Sequence, residues 1–501
     1  MQKRQVLINA AMSVLQIVII SIVIFILYKF LLAEIGAKQL GIWSLVLSST
    51  TLAQVANFGF SGSVVKFVAK YAALKEHQNA SNVIQTAAIS LGVFVGFLLL
   101  IAYPRFTKIL GLIVASDSLP LALDILPYAL LSIWLMMIIS IFQSALDGFQ
   151  RIDLRSFILT FSSILNLIFC VILAPSYGLM GVAYARVAQM LLTLVAVWFM
   201  LKRCIKLPIL PCKWNKQLFK EILSYGIKYQ TISITTLFYD PVTKGLLSKF
   251  GSLSMVGYYE MASRMVQQFR ALVVSANQVI FPAIADLKER DPEKIASVYR
   301  TSYQLIFYLS LPLYSLIIVS LPVISVLWIG HYVKTFICFG VLLTLGWFLN
   351  TLSAPAYFAN MGTGELRWNL IGHITIAFLN AVLGILLGLL YKGFGVVSAW
   401  IISLAIGSSI IYLSYHVRHN ITLIELIPKA SRIIAVACLI SILSNVIILH
   451  KFNHIFNNTA INSIVILLFL IINFTFFWLH PMRKRMMGWV TNELFKKEAG
   501  D

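Results

Sequence analysis

The stretch LDGFQRIDLRSFILTFSSILNLIF (146–169) decides the fold, because its pattern returns in the second half of the chain. NMGTGELRWNLIGHITIAFLNAVL (360–383) lies over it without a gap, and the same register continues from GLMGVAYA (178–185) to KGFGVVSA (392–399). This register pairs Ala145 with Ala359, Gly148 with Gly362, Asn166 with Asn380 and Gly181 with Gly395. Further upstream, a nearly identical register lays GIWSLV (41–46) over GYYEMA (257–262). The chain is therefore predicted to contain an internal repeat.

The composition places this repeat in a membrane. Of the 501 residues, 60% are hydrophobic and only 11% are charged, and the mean hydropathy is +0.89. A soluble domain is about 45–50% apolar and about 25% charged. The apolar runs are about 20 residues long, which suits spanning helices rather than the alternating strands of a barrel. We predict an all-α polytopic membrane protein.

Fourteen transmembrane helices are predicted, joined by short polar connections that leave no room for a soluble catalytic domain. Their ranges are 6–28, 40–62, 83–103, 120–145, 154–174, 177–201, 222–246, 253–280, 301–327, 334–360, 368–390, 395–416, 431–449 and 461–479. Most of the 39 Lys and Arg residues fall on the side of the N-terminus. By the positive-inside rule, both termini of this multi-pass membrane protein are expected in the cytoplasm. Since no basic soluble domain exists, the net charge of +21 is not taken as a nucleic-acid signal.

Each repeat holds six spans, so the two copies have the same orientation in the membrane. They are predicted to form two six-helix lobes, an N-terminal lobe at 1–215 and a C-terminal lobe at 216–430. The boundary falls at KLPILPCKWNKQ (206–217), where two prolines break helices and lysines mark a cytoplasmic linker. The remaining segment, 431–501, adds two helices and a basic cytoplasmic tail. Several secondary transporters are built from parallel repeats of this kind.

One predicted span carries charges that hydrocarbon does not tolerate. In YEMASRMVQQFR (259–270), an arc of roughly 120° on a helix collects Glu260, Ser263, Arg264, Gln267 and Arg270. A charge at the bilayer centre costs about 2.5–3.5 kcal/mol even on the lenient scale, so this stripe must face the bundle interior or water. Arginine also matches the geometry of a phosphate group. We interpret the stripe as the lining of a functional cavity.

Three other spans carry milder polar faces. Span two contributes Gln54 and Asn57, and span seven contributes Tyr225, Lys228 and Tyr239. Span one carries Asn9, Ser13 and Gln16, although polar residues in spans also serve simply to bond neighbouring helices. With two polar helix faces in each half, we predict a hydrated cavity between the lobes, and the basic residues of the second half make this cavity cationic.

Asp240 and Lys244 lie four residues apart in FYDPVTKGLL (238–247), which fits either a boundary ion pair or a role in ion coupling or gating. Both interpretations stay open. No cysteine has companions at metal-ligand spacing, so no metal site is predicted. No other cofactor is expected, while coupling to H⁺ or Na⁺ is left undetermined.

The chain resembles the polysaccharide flippases of the multidrug/oligosaccharidyl-lipid/polysaccharide (MOP) exporter superfamily, the Wzx-like O-antigen flippases among them. The resemblance covers nearly the whole chain. It rests on LGIWSLV and VANFGFSGSVVKFVAKY (within 40–71), SALDGFQR (144–151), YGLMGVAYARV (177–187), LSYGIKYQ and FYDPVTKGLLSKFGSLSMVGYYEMA (within 223–262), and VIFPAIADL (279–287).

This resemblance implies alternating access and no enzymatic activity. The implied cargo is a polyprenyl-diphosphate-linked oligosaccharide, which moves from the cytoplasmic to the periplasmic leaflet of a bacterial inner membrane. Arg264, Arg270 and Lys228 are then expected to bind the diphosphate, and the polar and aromatic residues of the other faces to bind sugars. Membrane lipid is an expected partner, as are polysaccharide-assembly proteins such as a polymerase or a chain-length regulator.

Three alternatives compete with this interpretation. A drug exporter of the same superfamily would need an acidic cavity, whereas this one is net basic. A membrane-embedded polymerase or ligase should carry a large extracytoplasmic loop, and the predicted loops are short. A scaffold without transport would leave the buried arginines unexplained.

Overall fold

The computed structural model describes residues 3–51, 57, 59–204, 213–275, 284, 287–288, 291–451 and 459–485. Throughout these residues every regular element is a helix. In chain order the helices are α1 (Lys3–Thr51), α2 (Phe60–Ala73), α3 (His77–Ile113), α4 (Leu119–Gly148), α5 (Ile152–Cys204), α6 (Lys216–Leu237), α7 (Tyr239–Phe250), α8 (Leu253–Ser275), α9 (Lys294–Ile329), α10 (Lys334–Leu352), α11 (Ala354–Thr363), α12 (Arg367–Arg418), α13 (Leu423–Leu426), α14 (Lys429–Lys451) and α15 (Thr459–Leu479).

Seven apolar segments in the described part of the chain are long enough to cross a bilayer. Three of them, Met12–Thr50, Ile152–Arg203 and Arg367–Arg418, run for 39, 52 and 52 residues, about twice what one crossing needs. Each contains a break, at Gly36 in α1, Gly178 in α5 and Lys392 in α12. Each therefore provides two of the predicted spans. The other predicted spans fall on α3, α4, α6–α11, α14 and α15, and the predicted all-α polytopic class is confirmed. Residues 52–56, 58 and 276–280 of the second and eighth predicted spans lie outside the described residues.

The repeat is visible in the backbone as well as in the sequence. Gly178 has φ 57° and ψ −133°, and Lys392, which the register of Asn166 and Asn380 pairs with it, has φ 55° and ψ −140°. Just after each break the chain passes close to itself. A Cβ on Gly181 would collide with the carbonyl of Leu173, and a Cβ on its counterpart Gly395 would collide with that of Leu387.

The chain divides into two compact units. The first comprises Met1–Met261 and Asn380–Val396. Within it, α1 and α4 both pack against α5, and α2 and α3 pack against α4. Its core consists of aliphatic side chains with no exposed surface, among them Leu45, Val83, Ile125 and Ala183.

The second unit comprises Ala262–Leu379 and Val397–Asp501. Helix α9 is its centre and packs against α10, α14 and α15. A buried cluster joins aromatic residues of α9 to the small residues of α11 and to the end of α12. The hydroxyl of Tyr299 and Nε2 of His416 lie 2.6 Å apart inside it. The lobes predicted at 1–215, 216–430 and 431–501 stay a prediction.

Candidate functional site

Helices α1 and α8 cross at two glycines in the first unit. A Cβ on Gly41 would collide with the carbonyl of Leu253, and a Cβ on Gly257 would collide with the carbonyl of Ala37. The two glycines are counterparts in the repeat, and so are the two residues whose carbonyls they approach. Without side chains the two backbones touch directly, so no other residue type fits the crossing as it stands.

The crossing carries a buried carboxylate, that of Glu260. Its Oε1 accepts a hydrogen bond of 2.8 Å from the Tyr28 hydroxyl, and its Oε2 accepts one of 2.9 Å from the Ser44 hydroxyl. Lys244 Nζ lies 2.7 Å from the same Oε2. The four residues form two pairs of counterparts in the repeat, Tyr28 with Lys244 and Ser44 with Glu260.

Lys244 also binds Asp240, at 2.7 Å from Nζ to Oδ2, so the ammonium lies between two carboxylates. The side chains of Lys244 and Glu260 are 3% and 5% exposed, whereas that of Asp240 is 47% exposed. We call Asp240, Lys244 and Glu260 the ionic cluster. A buried charge is tolerated only when it is paired and hydrogen-bonded, and the hydroxyls of Tyr28 and Ser44 complete that requirement here.

Asn380 fixes the helix that carries Lys244. Its Nδ2 donates to the Thr243 hydroxyl at 3.0 Å and to the carbonyl of Tyr239 at 3.3 Å. The Thr243 hydroxyl in turn donates to the carbonyl of Tyr239 at 2.9 Å. Helix α7 is thereby bonded to α12 immediately after the break at Phe238 that separates it from α6.

A second polar centre lies in the second unit, around Arg270 of α8. Its Nη2 donates to Oδ1 of Asn350 at 2.9 Å, and its guanidinium carbon lies 4.6 Å from the ring centroid of Trp347. Asn350 also donates to the Ser408 hydroxyl at 2.9 Å. Nε of Arg270 and Nε1 of Trp347 are buried and have no hydrogen-bond partner among the described residues. This centre therefore combines a guanidinium, an indole and two N–H groups that remain to be satisfied.

The other predicted lining residues are less concentrated. Arg264 is exposed on α8, and Gln267 donates to the Ser263 hydroxyl at 2.8 Å. Asn57 donates to the Ser61 hydroxyl at 3.2 Å, and Tyr239 is half-buried. Gln54 lies outside the described residues, and so do the side chains of Tyr225 and Lys228 on α6.

The polar face of span one has a structural partner. Asn9 donates from Nδ2 to the carbonyl of Gln150 at 3.0 Å and accepts from the Asp153 backbone at 3.1 Å. The amide therefore secures the start of α5, as expected when a polar residue in a span bonds a neighbouring helix. Ser13 donates to the carbonyl of Asn9 within the same helix.

A family model described as "Polysaccharide biosynthesis protein" matches residues 39–335, more than half of the chain. The chain belongs to this polysaccharide biosynthesis protein family. A comparison with curated proteins gave no match. This match confirms the family to which the predicted resemblance pointed, and solved structures of MOP superfamily proteins confirm the fold that the resemblance implied.

Among solved structures, this member of the family is similar to an inward-facing multidrug-resistance MATE transporter of the MOP superfamily. The identity is 15%, the match covers 80% of this chain and 94% of that one, and the TM-score is 0.71. It is equally similar to the lipid II flippase MurJ in an inward closed conformation, with 15% identity, coverage of 94% and 98%, and a TM-score of 0.71.

A third similar structure is a MOP superfamily transporter from Pyrococcus furiosus, described by a reverse polarity of its binding pocket that suggests a different function. Its identity is 16%, its coverage 81% of this chain and 95% of that one, and its TM-score 0.52. At identities of 15–16%, these comparisons establish only the fold of this member of the polysaccharide biosynthesis family.

Tyr28, Trp347 and Asn350 were not identified from the sequence. Tyr28 lies at the end of an apolar span, where an aromatic residue is ordinary. Trp347 and Asn350 are three residues apart on α10, which puts them on one face of a helix, and a polar amide in an apolar span is the signal that could have found them.

Proposed function

We propose that this protein is a flippase that carries a polyprenyl-diphosphate-linked oligosaccharide, such as an O-antigen or other surface-polysaccharide repeat unit. It would move this cargo from the cytoplasmic to the periplasmic leaflet of a bacterial inner membrane. Family membership supports a step in polysaccharide synthesis, and the fold supports transport rather than catalysis. A protein that transfers a lipid-linked sugar across the bilayer would be a transporter and would also take part in polysaccharide synthesis.

The centre at Arg270 carries the proposal for the cargo. A guanidinium held over an indole ring keeps its charge and direction fixed, and its Nε still has a proton to donate. Arginine binds phosphate through several N–H groups at once, and an indole presents both a stacking face and an N–H to a sugar. This pairing suits a head group in which a diphosphate adjoins a sugar. Arg264 lies on the same helix and would add positive charge for the same anion. Lys228 stays a predicted contributor, because its side chain lies outside the described residues.

An apolar groove in the second unit supports a cargo with a lipid tail. It has a volume of about 510 Å³ and runs along α14 and α15, where Val436, Ile440, Leu468 and Ile472 line it. Arg432 is among the lining residues and lies near the start of α14. A groove that is apolar along its length and cationic near one end matches an isoprenoid chain that ends in a phosphate.

We propose that the ionic cluster closes the periplasmic end of the transport path. In the topology predicted from charge, the break at Gly36 and the start of α8 lie on the periplasmic side, and the crossing of α1 and α8 is there. Opening this end for release would separate Glu260 from Tyr28 and Ser44, since they lie on different helices. The half-exposed carboxylate of Asp240 would stabilise the ammonium of Lys244 while Glu260 is separated from Tyr28 and Ser44.

The electrical potential is the proposed driving force. An inside-negative membrane favours outward movement of an anionic head by about 2.3 kcal/mol per net charge per 100 mV. Transport would then need no cofactor, and coupling to H⁺ or Na⁺ would add to this drive rather than replace it. A polymerase and a chain-length regulator are the proposed downstream partners, because the flipped unit is their substrate.

The test is translocation of a fluorescent polyprenyl-diphosphate oligosaccharide by the full chain in proteoliposomes. Arg270→Ala and Trp347→Ala should each reduce the initial rate at least about tenfold, the effect of losing a charge-assisted or stacking contact of about 1.4 kcal/mol. Arg105→Ala is the matched control, because Arg105 is an exposed arginine on α3. Normal rates in both variants at equal protein levels would remove this centre as the head-group site.

Drug export is the competing function, and the fold alone permits it because a multidrug transporter shares that fold. Cells that produce the protein should show no increase in resistance to cationic dyes and no faster efflux of ethidium. Efflux that is lost in Glu260→Gln would instead favour a drug exporter.

A further inference from the structure

Residues 213–223, which include the start of α6, present three exposed lysines beside an apolar cavity in the first unit. Lys213, Lys216 and Lys220 are all exposed. The cavity has a volume of about 660 Å³, and its lining includes Phe60, Phe94, Phe97, Trp214, Phe219 and Leu223. Of these, Trp214 and Phe97 are 51% and 64% exposed, so the cavity opens to the surroundings of the protein.

Hydrogen bonds to α3 hold this segment in place. The backbone N–H of Lys213 donates to Oε1 of Gln85 at 3.1 Å, and that of Asn215 donates to the Thr86 hydroxyl at 3.3 Å. Between them, Nε1 of Trp214 donates to the Ser90 hydroxyl at 2.9 Å. The indole is thereby anchored beside the cavity, and its ring centroid lies 6.0 Å from that of Phe219.

The lysines of α6 lie on the same helical face as the cavity. Phe219 and Leu223 line the cavity, and at about 100° per residue Lys216 falls within roughly 20° of Leu223. Lys220 follows one turn after Lys216 on that side. Glu221, the nearest carboxylate in sequence, lies roughly 140° from Lys216 and accepts a hydrogen bond of 3.3 Å from Gln217. The mouth of the cavity therefore combines positive charge with an aromatic wall.

We propose that this is a binding site for an anionic phospholipid of the surrounding bilayer. One acyl chain fills the aromatic cavity, and the head-group phosphate lies against Lys213, Lys216 and Lys220. Trp214 marks the depth of the head groups, because tryptophan concentrates at that interface. A zwitterionic lipid fills the cavity equally well but gains nothing from the lysines, each of which contributes about fivefold to the affinity for an anionic surface. This site shares no residue with the proposed cargo site at Arg270.

The experiment titrates the delipidated full chain with dioleoylphosphatidylglycerol or dioleoylphosphatidylcholine and records bound lipid by native mass spectrometry. Wild-type protein should bind phosphatidylglycerol about tenfold or more tightly than phosphatidylcholine, and salt should reduce the difference. The triple variant Lys213→Ala, Lys216→Ala, Lys220→Ala should lose this preference. Phe97→Asn, at an exposed position that does not endanger folding, should weaken the binding of both lipids.

The matched control replaces three exposed basic residues of the second unit, Lys429, Lys484 and Arg485, by alanine. This variant removes the same charge and should keep the preference for phosphatidylglycerol. Equal binding of the two lipids by the wild type would overturn the proposal. So would an unchanged preference in the Lys213/Lys216/Lys220 variant, or an equal loss in the control. None of these results bears on cargo transport, which is measured separately.

Discussion

The hydroxyl of Ser44 donates a hydrogen bond of 2.9 Å to the carboxylate of Glu260, and the two residues occupy the same position in the two halves of the repeat. Equivalent positions of α1 and α8 therefore meet at the glycine crossing. Two carboxylates at this distance would repel each other. With a serine in one copy and a glutamate in the other, the crossing carries a single negative charge and avoids that repulsion.

The ionic cluster should behave as one unit when it is mutated. Lys244→Met leaves the buried carboxylate of Glu260 without its cation and should reduce the free energy of unfolding by about 3–5 kcal/mol. Glu260→Leu leaves Lys244 paired with Asp240 alone and should reduce the free energy of unfolding by less. The double variant should be closer to wild type than the sum of the two losses, because neither charge then stays buried. The melting temperatures of the wild type, the two single variants and the double variant, all in one detergent, measure the coupling between Lys244 and Glu260. Strict additivity would show that Lys244 and Glu260 do not depend on each other.

The glycine crossing should not accept a side chain. Gly257→Val places carbon atoms against the backbone of α1, which cannot move aside as a flexible side chain can. We expect a loss of stability of at least about 2 kcal/mol and a loss of transport. Gly111→Val is the matched control, because a Cβ at Gly111 of α3 meets nothing within 4 Å. Equal melting temperatures for both variants would contradict the close crossing.

Lys392 occupies a backbone conformation that favours glycine, which its counterpart in the repeat, Gly178, provides. A residue with a side chain costs about 1–3 kcal/mol in this region. Lys392→Gly should therefore raise the melting temperature, and Gly178→Lys should lower it. The side chain of Lys392 is exposed, so its removal loses no core packing. A lower melting temperature for Lys392→Gly would mean that the protein does not retain a positive φ at this position.

Transport should depend on the membrane potential. In proteoliposomes with a valinomycin-imposed potassium gradient, a potential that is negative on the cargo side should speed translocation of the diphosphate-linked sugar, at about 2.3 kcal/mol per charge per 100 mV. Arg270→Ala should remove the accelerated flux. A rate that follows an imposed pH or sodium gradient and ignores the potential would transfer the driving role to a coupling ion.

Hydrophobicity and periodicity were sufficient for the fold class. The bilayer core holds no water to bond backbone polar groups, so a chain of this composition must cross it as helices. The repeat extends to the backbone breaks at Gly178 and Lys392. Helical spacing places the polar residues of α8 on one face, and their role as the lining of a cavity stays a prediction. The partners of these residues could not be predicted, because helical spacing reports only neighbours on the same helix.

The sequence by itself therefore determined that the protein spans a membrane, that it is built twice from one unit, and that α8 carries charge. Only the tertiary structure decided what that charge touches. Glu260 binds Lys244, Tyr28 and Ser44, whereas Arg270 lies over Trp347 of α10. The physical reason is that a buried charge must be neutralised by whichever groups the packing of helices brings within about 3 Å, and that packing joins residues that no local pattern connects.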